Sequence, residues 1–350
     1  MNRQDIISSI LNYYKEYNFN FDVYIVADTL GYTKKTYPRN INHADDSEFF
    51  SRTEFAEIAS AIFYSFGYVR VFYSELEFIQ YIINNNINTS ECIVYNFARD
   101  GRANGKKSLI PAFCDLLNIK YTGSDAFVIS LLRNKFVYTE FLEKGGIPVP
   151  KSKTYSKTDD YRQFINYFED DVVIVKNKYE SASIGLSSEN IFHFQSDSDR
   201  KLSALMHTMY TDSLLIQEYI DGQECEVLVL QYNGIYYALD PVEIIFKAST
   251  KFIDTATSNA YNYDFKVIES PLKEHIQELA EKSAKLLGIK DYARFDFRIK
   301  NGEPYLFDIA GTPYTIYHSS IAHLFTKHYK LPYETIYKVI VTCMLSNYKI

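Results

Sequence analysis

A parallel-sheet α/β unit followed by α+β structure is the fold class this sequence predicts, on three observations. Helical stripes take turns with short apolar runs over the first 120 residues. Beyond residue 172 strands crowd together ahead of one long helix. Between the two lies a stretch punctuated by Gly123, Gly145-Gly146 and Pro148-Val149-Pro150, which reads as a boundary. At 350 residues and 47% hydrophobic content, the chain can build a core in each of two or three domains of roughly 150 residues or fewer.

In the first unit a helix is predicted near residues 4–16 from Ile6, Ile7, Ile10, Leu11 and Tyr14. A strand follows at Asp22–Ala27, then a helix carrying Phe55, Ile58, Ile62 and Phe66. The alternation continues with a strand at Val69–Tyr73, a helix with Leu76, Ile79, Ile82 and Ile83, and a strand at Cys92–Asn96. The boundary region brackets one helix from Ala126 to Leu142. Strands are then predicted at Val172–Lys176, Leu214–Tyr219, Glu226–Gln231 and Ile235–Leu239, and a long helix at Lys273–Leu287. Helical patterns at Ser319–His328 and Pro332–Met344 close the chain. Lys247–Ser270 is polar, without a clear period and too long for a turn, so it reads as a lid over a site or a disordered excursion.

Thirty-seven basic against 44 acidic residues leave a net charge of −7, which disfavours nucleic acid and acidic membrane as partners. No apolar run approaches the roughly 18 residues of a membrane span, and the polar-interrupted N-terminus lacks a signal-peptide core, so the expected compartment is the cytoplasm. Cys92, Cys114, Cys225 and Cys343 stand too far apart for a zinc knuckle and read as buried thiols. The 32 Tyr and 25 Phe are spread along the whole chain and carry no functional weight.

The most informative stretch is Arg294–Ile309, where two strands flank the turn-forming Lys300-Asn301-Gly302. Arg294, Asp296 and Arg298 alternate with Phe295, Phe297 and Ile299, and Leu306 and Asp308 alternate with Tyr305, Phe307 and Ile309. A three-residue loop sorts these into two faces and a two-residue loop does not, so the odd loop is expected. Asp296 and Asp308 then neighbour each other across the ladder beside Arg294. Two carboxylates so placed repel unless a cation lies between them, and hard oxygen ligands suit Mg²⁺ carried in by a phosphate. Taken alone, the same hairpin also reads as a solvated face.

Other signals are individually weak. Lys176 ends an apolar strand and precedes Glu180-Ser181-Ala182-Ser183-Ile184-Gly185, a small-residue loop whose amides suit phosphate. Lys135 lies on a predicted helix, and Gln217–Glu224 forms a strand, a turn at Asp221-Gly222 and a carboxylate just past it. Gly101–Ser108 resembles a phosphate-binding loop, but the spacing between its glycines fails.

Taken in order, Tyr121-Thr122-Gly123-Ser124, Lys135, Ile147–Pro150, Ile174-Val175-Lys176, Glu180–Gly185, Gln217–Glu224, Ala293–Phe297 and Tyr305–Ile309 resemble the D-alanine–D-alanine ligase branch of the ATP-grasp enzymes. The resemblance runs from about residue 90 to 328. It implies an N-terminal α/β domain over residues 1–120 and two α+β lobes, 121–211 and 212–350, that hold ATP between them. It also implies that ATP phosphorylates a substrate carboxylate and that an amine then attacks the acylphosphate. In those roles Lys135 and Lys176 hold phosphates, Glu180, Ser181 and Ser183 belong to the loop over them, and Gln217 with the backbone of Glu218, Tyr219 and Ile220 reads adenine. Glu224 takes the ribose hydroxyls. Asp296 and Asp308 carry Mg²⁺, or Mn²⁺ in its place, and Arg294 steadies the tetrahedral intermediate. Ser319, with His318 and Ser320, receives the acceptor carboxylate, and Glu48 looks like the carboxylate that holds the substrate amine. Substrates are then small amino acids or peptides, and a homodimer is the expected assembly because family members are commonly dimers.

Departures from the family pattern shape further expectations. Ala310 replaces a metal-binding Asn, which bears on a second Mg²⁺ and supports an alternative role as a nucleotide-binding regulatory or partner subunit without ligase activity. Tyr314 replaces a Gly and sets a ring beside the reacting centre. Arg99 and Arg102 stand in the substrate loop, pointing to a substrate with an extra negative charge. The closing-loop lysine has no clear match, with Lys247 and Lys251 both early.

Overall fold

A computed structural model describes residues 3–17, 19, 21–33, 48–100, 104–168, 171–181, 183–195, 198–209, 211–247, 252–253 and 261–348. The first unit follows the predicted alternation: α1 (Arg3–Glu16), β1 (Asp22–Ala27), α2 (Arg52–Phe66), β2 (Val69–Phe72), α3 (Glu75–Asn84), β3 (Cys92–Phe97), α4 (Leu109–Leu117) and β4 (Lys120–Tyr121). The strands form a parallel sheet in the order β2-β1-β3-β4. Every residue of β3 is buried, as expected of a parallel strand covered on both faces. Ser51 caps α2 by accepting the Glu54 N–H while Glu54 Oε2 accepts the Ser51 N–H at 2.6 Å, a reciprocal pair that fixes where the helix starts. Glu48 lies three residues upstream of that cap.

The boundary region holds two helices where the periodicity predicts one: α5 (Ala126–Arg133) and α6 (Lys135–Lys144). Asn134 sits between them in a non-helical conformation and caps the second by accepting the Val137 N–H, the role for which a short amide side chain is suited. The break makes Lys135 the first residue of α6.

The central lobe is an antiparallel sheet, β5 (Ser152–Ser156), β6 (Val172–Asn177), β7 (Ile191–His193) and β8 (Ser213–Glu218), in the order β5-β8-β6-β7, backed by α7 (Ser198–Thr208). β8 pairs with both β5 and β6, so the sheet of this lobe runs to Glu218.

The C-terminal lobe comprises β9 (Gln223–Tyr232), β10 (Ile235–Ala238), β11 (Val242–Phe246), β12 (Tyr263–Val267), α8 (Leu272–Leu287), β13 (Tyr292–Lys300), β14 (Glu303–Ala310), α9 (Ser320–His323) and α10 (Thr335–Asn347), with a π-turn at Leu324–His328. Its sheet runs β12-β11-β9-β13-β14, with β10 on β9. Part of the stretch read as aperiodic is therefore strand: β12 pairs with β11 from Val242 opposite Val267 to Phe246 opposite Tyr263. Its alternating Tyr263, Phe265 and Val267 carry the signal. Residues 248–251 and 254–260 lie outside the described residues.

The β13–β14 hairpin corrects the expected loop. Lys300 pairs with Glu303, so the turn has two residues, Asn301 and Gly302, both in the left-handed region at φ 53° and 83°. That is the turn whose twist suits a hairpin. The faces are sorted by a bulge instead: Phe297 pairs with Leu306 but Asp296 pairs with Asp308, leaving Phe307 as one extra residue on β14. Leu306 and Ile309 thus both reach the core that contains Phe295 and Phe297.

The N- and C-terminal units share one core. Ile336, Ile340 and Met344 of α10 pack in the same cluster as Ile7, Ile58, Ile62 and Tyr95, and the Tyr95 hydroxyl donates to the Tyr337 carbonyl at 2.7 Å. All four cysteines are buried and free. Among the described residues no helix is long and apolar enough to cross a membrane.

Candidate active site

A cleft opens between the central sheet and the β9-β13-β14 face of the C-terminal lobe. Its walls include Lys135, Lys176, Glu180, Ser181, Ser183, Gln217, Glu218, Tyr219, Ile220, Glu224, Arg294, Asp296 and Asp308, so the nucleotide and metal residues expected from the sequence converge on one cavity. Sheet register explains the convergence. On β9 and β13, Glu226 pairs with Asp296 and Glu224 with Arg298, while Asp308 pairs with Asp296 from the other side, so three adjacent strands set their polar residues side by side.

Arg294 grips Asp296 with two parallel bonds of 2.8 Å and reaches Glu226 at 3.1 Å. Burial nevertheless pushes the Asp296 carboxyl up to about 7, with Glu226 and Asp308 adding repulsion. Asp308 goes the other way. Burial would raise it, but the Lys135 and Lys176 ammonium groups outweigh that and hold it at about 2. Lys135 donates directly to Asp308, and the Tyr138 hydroxyl does so at 2.9 Å. Asp296 and Asp308 offer two hard carboxylates on neighbouring strands, a donor pair that fits a Mg²⁺ ion completed by phosphate and water. No group of three or more His, Cys, Asp or Glu side chains placed to hold a metal ion occurs among the described residues.

Lys176 is buried, and burial lowers its pKa to about 8. It donates to the Gln217 carbonyl oxygen at 2.9 Å, and the Gln217 amide donates to Ser152 at 3.1 Å. Gln217 here orients the lysine, so its carbonyl is already engaged. The Glu218 and Tyr219 N–H groups donate to the Lys151 and Val172 carbonyls, both at 2.8 Å, so these two donors are already engaged within the sheet. Glu224 is bonded to Arg298 at 2.5 Å, and Arg298 also donates to the Ile220 carbonyl. A Cβ at Gly222 would stand 2.0 Å from the Ile299 carbonyl, so only glycine lets this turn lie against β13.

Several contributors were not anticipated. Phe307, the bulged residue, lies in the cavity wall with Lys176 Nζ 5.0 Å above its ring. Arg298 lies two residues beyond Asp296 and Glu226 two beyond Glu224, a period-two signal already present on their strands. Phe252 and Ile253 also line the cavity, and the Ser183 hydroxyl donates to the Ile253 carbonyl at 2.8 Å. Part of the expected lid thus meets the small-residue loop. Lys247 pairs with Asp264, away from the cavity walls, and Lys251 lies outside the described residues.

A second cavity adjoins the first, sharing Lys135, Glu180, Ser181, Arg294, Asp308 and Tyr314 and extending to Glu48, Arg99, Lys107 and Arg133. Glu48 is 1% exposed. Lys107 lies 3.0 Å from it, Lys106 3.6 Å and Arg133 3.9 Å, and the Ser181 hydroxyl donates to it. Burial alone would raise its pKa; the cations hold it well below the carboxylate range. Tyr314 donates to the Glu48 carbonyl at 2.8 Å. Arg99 is clamped between the Tyr314 and Phe50 rings at 4.4 and 4.7 Å and donates to the Thr312 carbonyl. Arg102 lies outside the described residues.

The expected acceptor residues stand apart from both walls. Ser319 caps α9, accepting the Ala322 N–H at 3.1 Å. His318 lies against the Tyr261, Tyr263 and Phe265 rings, and burial lowers its pKa. Ser320 donates to Glu226 and so connects to Arg294 through one carboxylate.

Residues 141–342 match the family described as D-ala D-ala ligase C-terminus. The chain belongs to this family. A D-alanine–D-alanine ligase of Coprothermobacter proteolyticus is 25% identical over 221 residues, covering 60% of this chain and 69% of that protein. One of Halalkalibacterium halodurans is 29% identical over 203 residues, covering 56% and 64%. The crystal structure of the Bacillus anthracis D-alanine–D-alanine ligase complexed with ATP superposes with a TM-score of 0.68 at 16% identity, covering 94% of this chain and 99% of that one. The fold is therefore ATP-grasp, with ligase-like lobes enclosing the cleft described above.

Proposed function

We propose that the chain is an ATP-dependent carboxylate–amine ligase that makes an amide between small amino acids or peptides. The observation that carries this reading is the meeting, in one cleft, of Lys135 and Lys176 with the Asp296–Asp308 pair and Arg294. The two lysines answer the negative charge of the phosphates, and Lys176 is held in place by Gln217. The γ-phosphoryl group passes to a donor carboxylate oxygen and ADP leaves. The acceptor amine then attacks the acyl carbon, the C–O bond to phosphate breaks, and the amine loses a proton. Arg294, fixed by Asp296 and Glu226, offers its charge to the oxygen that becomes negative in between. Asp296 and Asp308 would hold Mg²⁺, or Mn²⁺, which when bound would neutralise phosphoryl oxygens.

Retention of both lysines, both aspartates and Arg294 favours a working ligase over a non-catalytic subunit. The test is ADP release by the purified protein with Mg-ATP and a panel of L- and D-amino acids and dipeptides, with mass spectrometry of the products. A new amide formed with ADP is the expected result. ATP binding without turnover across the panel would sink the reading.

A further inference from the structure

We propose that the second cavity takes the anionic far end of a donor substrate, at the place where the family resemblance sets a substrate ammonium. This rests on the ligase reading and names its donor as a molecule with two negatively charged ends, of the dicarboxylate class.

Glu48 lies among Lys107, Lys106 and Arg133, with Lys107 and the Ser181 hydroxyl donating to Oε1 while Oε2 makes no hydrogen bond among the described residues, so most of its charge is already answered by cations. Glu180, the other carboxylate here, is likewise taken, by Lys106 at 2.7 Å and Arg133 at 3.3 Å. Four cations, counting Arg99, face two carboxylates. Among side chains as buried as Glu48, Arg99, Lys106, Lys107 and Arg133, that imbalance repels an ammonium and attracts an anion. Two of the cations also keep unspent donors: the Nε–H groups of Arg99 and Arg133 are buried with no hydrogen-bond partner among the described residues. Both side chains are more than nine-tenths buried.

The cavity's other end is the phosphate site, since Lys135, Arg294 and Asp308 line both spaces. A short donor can therefore place one carboxylate beside Lys135 for phosphorylation while its other anionic group lies among Lys107, Arg133 and Arg99. In the step itself the γ-phosphoryl moves from ATP to an oxygen of the near carboxylate, ADP leaves, and the far carboxylate takes no part.

The test uses hydroxylamine as a trapping amine, so that any acylphosphate is read as a hydroxamate while ADP is measured. Succinate and glutarate are compared with L- and D-alanine as donors, in the wild type and in Lys107→Met and Lys107→Arg. The expected result is a KM for the dicarboxylate below that for alanine, raised about tenfold or more in Lys107→Met and restored in Lys107→Arg, with the KM for ATP little changed. Hydroxamate formed preferentially from alanine would overturn the proposal and leave the ligase reading intact. Calorimetry of succinate binding to the wild type separates the remaining cases. Binding that weakens in Lys107→Met but supports no ADP release would keep the anion site and defeat the ligase reading. Absence of succinate binding would overturn the proposal. The wild-type preference decides the matter even should Lys107→Met fold poorly.

Discussion

Asp296 faces Asp308 only because Phe307 has no partner of its own. The two-residue turn at Asn301-Gly302 sets every pair nearer the turn one step away from that match, and the bulge adds the missing step. Deleting Phe307 removes the bulge yet leaves Leu306 opposite Phe297 and Asp308 directly opposite Asp296, so ATP turnover should survive the deletion. Phe307→Ala keeps the backbone count and loses only the ring beneath Lys176, so the KM for ATP should rise by about tenfold or less. Equal loss in both variants would show that the ring alone matters, and a larger loss in the deletion would show that the bulged backbone also shapes the site.

The affinity for ATP should fall as pH rises through about 8. Burial lowers the pKa of Lys176 to that value, so above it the side chain is neutral in the free protein. Bound phosphate favours the charged form, and binding then requires proton uptake on the alkaline side. KM for ATP measured from pH 6.5 to 9.5 should show this inflection, and Lys176→Met should remove it while weakening binding at every pH.

Arg298→Met should destabilise the protein by about 3–5 kcal/mol, because it strands the buried Glu224 carboxylate without its partner. The double change Arg298→Met with Glu224→Leu should recover much of that loss in chemical denaturation. Nucleotide binding should stay impaired in the double variant, since both side chains line the cavity.

Tyr314→Phe removes one hydrogen bond, to the Glu48 carbonyl, and should cost about 1 kcal/mol. Tyr314→Gly removes the ring that packs against both Arg99 and Phe50, so its cost should approach the ~3–5 kcal/mol of a large aromatic truncation. Urea denaturation of the two variants checks the ordering.

The parallel unit was legible because each of its strands is an apolar run with a helical stripe on either side. The nucleotide cleft was legible as an ordered set of motifs whose members say little singly. Less visible were features that depend on pairing across the fold. The choice between a two- and a three-residue loop could be argued from apolar faces, but a bulge sorts faces equally well, and no local signal at Phe307 announces one. The helix break at Asn134 hides in an apolar period that continues across it. Lys107 sat in a segment set aside for failing as a phosphate loop, and its pairing with Glu48 joins residues 59 apart in the chain. Arg99 was read as a substrate contact; it lines the second cavity, and its stacking on two aromatic rings and its bond to a backbone carbonyl could not be read from the sequence.

The sharing of one core by α10 and the first domain has a consequence for how the chain is born. When the N-terminal domain leaves the ribosome, Ile7, Ile58 and Ile62 still await Ile336, Ile340 and Met344, which are synthesised more than two hundred residues later. At roughly 5–20 residues per second that flank stays bare to water for ten seconds or longer, a window in which chaperones or neighbouring nascent chains can reach it. Expression of the first 150 residues alone should accordingly yield aggregates, and supplying α10 as a separate peptide should raise the soluble fraction.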